Sequence, residues 1–72
     1  MTVRKALELI NKYISKKEVS IEEEDLLIES FDFLIEIRKD PDLIRLAGDY
    51  HSYRGRAELA EIYYNMSRDY SI

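Results

Sequence analysis

The stretch Ser20–Lys39, SIEEEDLLIESFDFLIEIRK, decides the fold. Set on a helix at about 100° per residue, Leu27, Ile28, Phe31, Leu34 and Ile35 cover one broad face. Leu26, Phe33 and Ile37 extend that face on one side, so the apolar sector spans roughly 220° of the circumference. A surface helix carries a narrower stripe, and this spread predicts neighbours on two sides. The remaining sector is acidic. Glu22, Asp25, Glu29, Asp32 and Glu36 recur every three or four residues and line up as a strip about 20 Å long.

The ends of this helix are well marked. Ser20 is placed to cap it, and Glu23 three residues on completes a capping box. Glu22 to Asp25 put negative charge at the positive end of the helix dipole, and Arg38 and Lys39 put positive charge at the other. Asp40-Pro41 stops it, because the residue before a proline is pushed out of the helical region. The acidic strip has two readings: the solvated face of a buried helix, or a docking strip for a basic partner. Like charges at this spacing cost about a few tenths of a kcal/mol per pair, which a basic surface would relieve.

Outward from the central helix, Thr2 is an N-cap for an amphipathic helix over residues 3–17. Its stripe is Val3, Ala6, Leu7, Ile10 and Ile14, with Leu9 and Tyr13 at the edges. The short link through Glu18-Val19 makes the first two helices antiparallel neighbours. On the other side, Asp40 caps a third helix, and Pro41 takes its first position, where the missing N–H is no loss. This helix covers residues 41–69, with a break expected at 48–52 if Gly48 takes a left-handed cap conformation. Alternatively it runs on through Gly48 and Gly55, at about 1 kcal/mol for each glycine relative to alanine. From Arg56 to Asp69 the stripe is Ala57, Leu59, Ala60, Ile62, Tyr63 and Met66. The expected architecture is therefore all-α: a small antiparallel three-helix bundle in a single domain over residues 1–72, with four helices if the third is split. No strand pattern is present.

Seventy-two residues without cysteine must hold together by packing alone. The net charge of −4 argues against general nucleic-acid binding. There is no long apolar run, signal-like start or lipidation motif, so the cytoplasm is the expected location and no membrane partner is expected. Glutamine and cysteine are absent while Glu, Lys, Ile and Tyr abound, a composition in the direction of thermophilic proteins.

The lone histidine lies in Arg45-Leu-Ala-Gly-Asp-Tyr-His51. This resembles the arginine–histidine motif of HEPN domains, helical bundles that often dimerise and cleave RNA. The resemblance implies a cleavage site built on Arg45 and His51, although Leu46 stands where the family has a polar residue. Residues Leu59-Ala60, Tyr63 and Asp69-Tyr70 also resemble the first helix of a tetratricopeptide repeat, but no second repeat follows. One histidine is too few for zinc, no glycine-rich phosphate loop is present, and no serine stands in a nucleophile motif, so neither metal nor cofactor is expected.

Five of the six tyrosines come after residue 49, interleaved with Arg45, Arg54, Arg56 and Arg68. Tyr and Arg are enriched at interfaces. Tyr50, Tyr53, Arg54, Arg56, Tyr63 and Tyr64 are therefore the expected protein-binding residues, with Phe33 and Ile37 on the central helix. The sequence thus points to a non-enzymatic interaction module, a dimer by default symmetry or a docking protein that regulates or inhibits a larger one. Nucleic-acid binding through Arg45, His51, Arg54 and Arg56 is the alternative.

Overall fold

The structure, a computed structural model, describes residues 1–16 and 18–71. Among these residues it is all-helical, with no strand and four helices: α1 (Val3–Lys16), α2 (Ile21–Arg38), α3 (Pro41–Tyr53) and α4 (Ala57–Tyr70). The chain divides into two compact units, Met1–Ile37 and Arg38–Ile72. None of the helices is long and apolar enough to cross a membrane.

In the first unit, side chains start both helices as the sequence predicts. Thr2 Oγ1 accepts the Lys5 N–H at 3.1 Å. Ser20 Oγ accepts the Glu23 N–H at 3.2 Å and donates to Glu23 Oε1 at 3.0 Å. The other carboxylate oxygen of Glu23 receives Lys12 Nζ at 2.6 Å. Lys12 stands near the end of α1 and Glu23 in the first turn of α2, while Met1 Sδ lies 3.4 Å from Ser30 Oγ further along α2. The two helices are therefore antiparallel. The expectation that α1 reaches Lys17 falls outside the described residues.

The buried residues of this unit are Ala6, Ile10 and Tyr13 on α1 and Leu27, Ser30, Phe31, Leu34 and Ile35 on α2. Tyr13, expected at the edge, is central, because residues 6, 10 and 13 share one line along the helix. Ile14 turns out into solvent instead. On α2 the buried sector is narrower than the apolar one. Leu26 and Ile37 stay exposed, and Ile28 and Phe33 are half-buried. Ser30 sits in the buried stripe because its hydroxyl donates to the Leu26 carbonyl at 2.6 Å, one turn back.

In the second unit, Asp40 Oδ1 accepts the Asp42 N–H at 2.9 Å and Pro41 takes the first helical position. The stretch 41–69 is split into two helices, as the four-helix alternative has it, but later than the possible break at 48–52. Helix α3 runs through Gly48 to Tyr53, and the chain turns at Gly55, whose φ is +80°. The Arg56 N–H donates to the His51 carbonyl at 2.8 Å and the Gly55 N–H to the Ser52 carbonyl at 3.0 Å. These two bonds make a Schellman ending with Gly55 in the left-handed position. Helix α4 then returns antiparallel to α3, with Ser67 Oγ donating to the Pro41 carbonyl at 2.9 Å.

Ile44, Ala47, Gly48, Tyr50 and His51 are buried on α3, and Ala60, Tyr63 and Ser67 on α4. The stripe expected on α4 is thus rotated. Leu59 and Ile62 are exposed, Ile62 by 57%. The turn fixes the angle at which α4 starts, and that angle turns Ala60 and Tyr63 inward.

Two outcomes follow for stability. Gly55→Ala forces a Cβ into a left-handed backbone and lowers unfolding stability by about 1 kcal/mol, and Gly55→Asn costs less; urea titration followed by circular dichroism reads both. Glu23 is held below the usual carboxylate range, first by the hydrogen bond from Lys12 and then by that from Ser20. A depressed value means that the folded chain favours the charged form, so this contribution is present at neutral pH and lost as pH falls through the folded value. Glu23→Gln is therefore less stable than the wild type at pH about 7, and the two converge in acid. A difference between them that persists unchanged in acid contradicts the Lys12–Glu23 brace.

Candidate functional site

His51 is completely buried on α3, with 0% exposure. Its ring stacks on Tyr63 of α4, with centroids 5.2 Å apart and 16° between the planes. It meets Tyr50 edge to face at 5.5 Å. Arg56 Nη1 lies 3.2 Å from His51 Nδ1. A guanidinium can only donate, so Nδ1 accepts, and the neutral imidazole carries its hydrogen on Nε2. Arg56 reaches the ring because the Schellman turn folds it back over the end of α3.

Arg45 is exposed and lies roughly 120° around α3 from His51. The arginine–histidine pair that the HEPN resemblance implies is thus not assembled. The imidazole is fully buried, stacked on Tyr63 with Tyr50 edge-on, and the arginine it meets is Arg56. The histidine packs; it does not face a cleft.

The tyrosines divide in the same way. Tyr50 and Tyr63, expected at an interface, are buried. Both rings pack against His51. Tyr53 is 66% exposed, and Arg54 beside it is exposed too. Tyr64 is half-buried, and its hydroxyl donates to Asp49 Oδ1 at 2.5 Å. That bond, followed by partial burial and the Asp49 charge, pushes the Tyr64 hydroxyl above its ordinary range. The flank of the ring lies on Gly48. A Cβ there would meet Tyr64 Cε1 at 2.8 Å and the Ala60 carbonyl oxygen at 3.3 Å, so the glycine makes room for the ring.

Tyr64 also lines an open groove between α3 and α4, with Asp42, Arg45, Asp49 and Arg68. Two arginines face two aspartates, and Arg68 is turned onto Asn65. The groove has no net charge to attract an ion of either sign. Among the described residues no group of three or more His, Cys, Asp or Glu side chains is placed to hold a metal ion.

A different surface lies on α2. Leu26 is 43% exposed and Ile37 55%, and Phe33 between them is half-buried. The three lie within about 40° of one another on the helix and form one ridge. Roughly 100° round on one side is the buried stripe of Leu27 and Leu34. On the other side stands the acidic strip, where Glu22, Asp25, Glu29, Asp32 and Glu36 are all exposed. Met1 lies against the buried Ser30 and is itself 44% exposed, so its thioether covers the small serine at the edge of the ridge. The sequence identified Phe33 and Ile37. It did not show Met1, whose place depends on how α1 pairs with α2. The Asp49–Tyr64 bond was missed for the same reason, since fifteen positions separate the partners in the chain.

No family of known proteins, no curated protein and no solved structure matches this chain.

The Gly48–Tyr64 contact has a measurable consequence. Gly48→Ala gains about 1 kcal/mol of helix propensity but overpacks against the ring at about 1–3 kcal/mol, so the variant is less stable. In a Tyr64→Ala background the ring is gone, and Gly48→Ala becomes neutral or stabilising. A double-mutant cycle by thermal unfolding shows the change of sign, and additive effects would remove the contact from the account.

Proposed function

We propose that this chain is a small, non-enzymatic helical module for protein–protein interaction, which self-associates or docks on a larger protein as a regulator or inhibitor. One observation carries the reading: on the ridge of α2, Leu26 and Ile37 stay exposed and Phe33 between them is only half-buried, on a helix that already buries a full stripe elsewhere. Burying a fully exposed side chain of this size is worth about 1.5–3 kcal/mol, and the part of each that is still exposed on Leu26, Phe33 and Ile37 adds up along one line as an anchor for a partner. Tyr53 and Arg54, both exposed at the end of α3, are of the types enriched at binding hot spots and add a second contact point. The buried state of His51 speaks against an RNase role, and the balanced groove beside Arg45 offers nothing to a phosphate backbone.

The test is a tagged pull-down from the source organism, run with and without nuclease, in parallel with the solution mass of the purified chain. The expected result is a stoichiometric protein, or a second copy of the chain, that survives nuclease and is lost with Ile37→Asp while helicity by circular dichroism is kept. Recovery of nucleic acid alone, removed by nuclease, would sink the reading.

A further inference from the structure

We propose that the α2 ridge is the seat of a basic amphipathic helix from another protein, and not of a second copy of this chain. The proposal rests on the interaction-module reading and names the partner for it. Leu26, Ser30, Phe33 and Ile37 alternate by four and three residues, the spacing of the seam of a coiled coil. Ser30 itself is buried, so at that register point Met1, whose Sδ lies 3.4 Å from the serine hydroxyl, is the side chain at the surface. In the same register Glu22, Glu29 and Glu36 recur every seven residues and flank the seam on one side over about 21 Å. All three are exposed. The other flank is Leu27 and Leu34, both buried.

This arrangement decides between occupants. Two copies meeting ridge to ridge in antiparallel orientation, about a two-fold axis, lay the glutamate edge of one along the glutamate edge of the other. Like charges then face each other along the whole contact. Two copies in parallel orientation set the glutamates against the Leu27–Leu34 flank, which α1 already covers and where Lys12 is held by Glu23 of its own chain at 2.6 Å. Neither arrangement sets a cation of α2 opposite the glutamates. A foreign helix with apolar residues on its seam and Lys or Arg beside them supplies both parts at once.

The experiment uses the full chain and two synthetic peptides of about three heptads. Both carry leucine at the seam positions; one has lysine and the other glutamate at the flanking positions. Binding is read by fluorescence anisotropy, and the mass of the chain alone by sedimentation. The lysine peptide is expected to bind at least about tenfold more tightly than the glutamate peptide, more weakly as salt rises, and not to Ile37→Asp. The chain alone is expected to sediment as a monomer. Reversing the edge with Glu22→Lys, Glu29→Lys and Glu36→Lys together should invert the preference between the peptides, and circular dichroism confirms that this surface variant folds. A preference that survives the reversal, or lysine-peptide binding that survives Ile37→Asp, overturns the proposal. A dimer that Ile37→Asp abolishes also overturns it, while leaving the interaction-module reading intact. A monomer that binds neither peptide overturns both the proposal and the reading of the ridge on which it rests.

Discussion

The hydrogen bond from the Arg56 N–H to the His51 carbonyl, at 2.8 Å, is the constraint on which the second helical unit depends. It forms because the residue just before Arg56 adopts a left-handed backbone, Gly55 at φ +80°. With that turn closed, α4 starts at Ala57 and can only run back along α3. Its starting angle is then fixed. Tyr63 lands on His51, Tyr64 on Gly48 and Ser67 on the Pro41 carbonyl. One residue more or less in the turn would rotate α4 by about 100°, and every one of these contacts would be lost. The exposure of Leu59 and Ile62 has the same origin: they lie on the flank that this rotation leaves outside.

The first unit solves a related problem with charge and caps. A chain of this size has little apolar surface to bury, so links between helices matter more than in a large protein. Glu23 takes part in three side-chain bonds: its amide donates to the Ser20 hydroxyl oxygen, one carboxylate oxygen accepts the Ser20 hydroxyl, and the other accepts Lys12 from α1. The same side chain therefore starts α2 and ties it to α1. The two buried serines are satisfied by backbone, Ser30 within its own helix and Ser67 across to the start of α3. The Ser30 and Ser67 hydroxyls each donate to a backbone carbonyl, so neither hydroxyl is buried without a bond.

Helix starts were legible in the sequence because capping is local chemistry. Thr2, Ser20 and Asp40-Pro41 act as their side chains dictate. The end of α3 was not legible, because two glycines seven residues apart satisfy the same local rule. What separates them is non-local: Gly48 is needed as an absence of Cβ beneath Tyr64, and Gly55 as a left-handed turn. Burial of the tyrosines followed from the same rotation of α4, which no spacing within that helix reveals. The acidic strip and the ridge were legible as a pattern on one helix. That the ridge is exposed, and that Met1 completes it, required the partner helix to be in place.

Scattered exposed apolar side chains are ordinary in small proteins and carry no message. Leu59 and Ile62 on α4, or Ile14 on α1, need no other account. The α2 ridge differs because its members share one line and a line of like charges runs beside them. A bare apolar ridge invites any other apolar surface, including a second copy of itself. Glutamates at every seventh position change that choice: they repel a second acidic edge and are drawn to a basic one. On the proposed reading one row of charges does two jobs, keeping copies of the chain apart while selecting the partner. An overall charge of −4 would contribute to the first, but only charges in register with the seam can do the second.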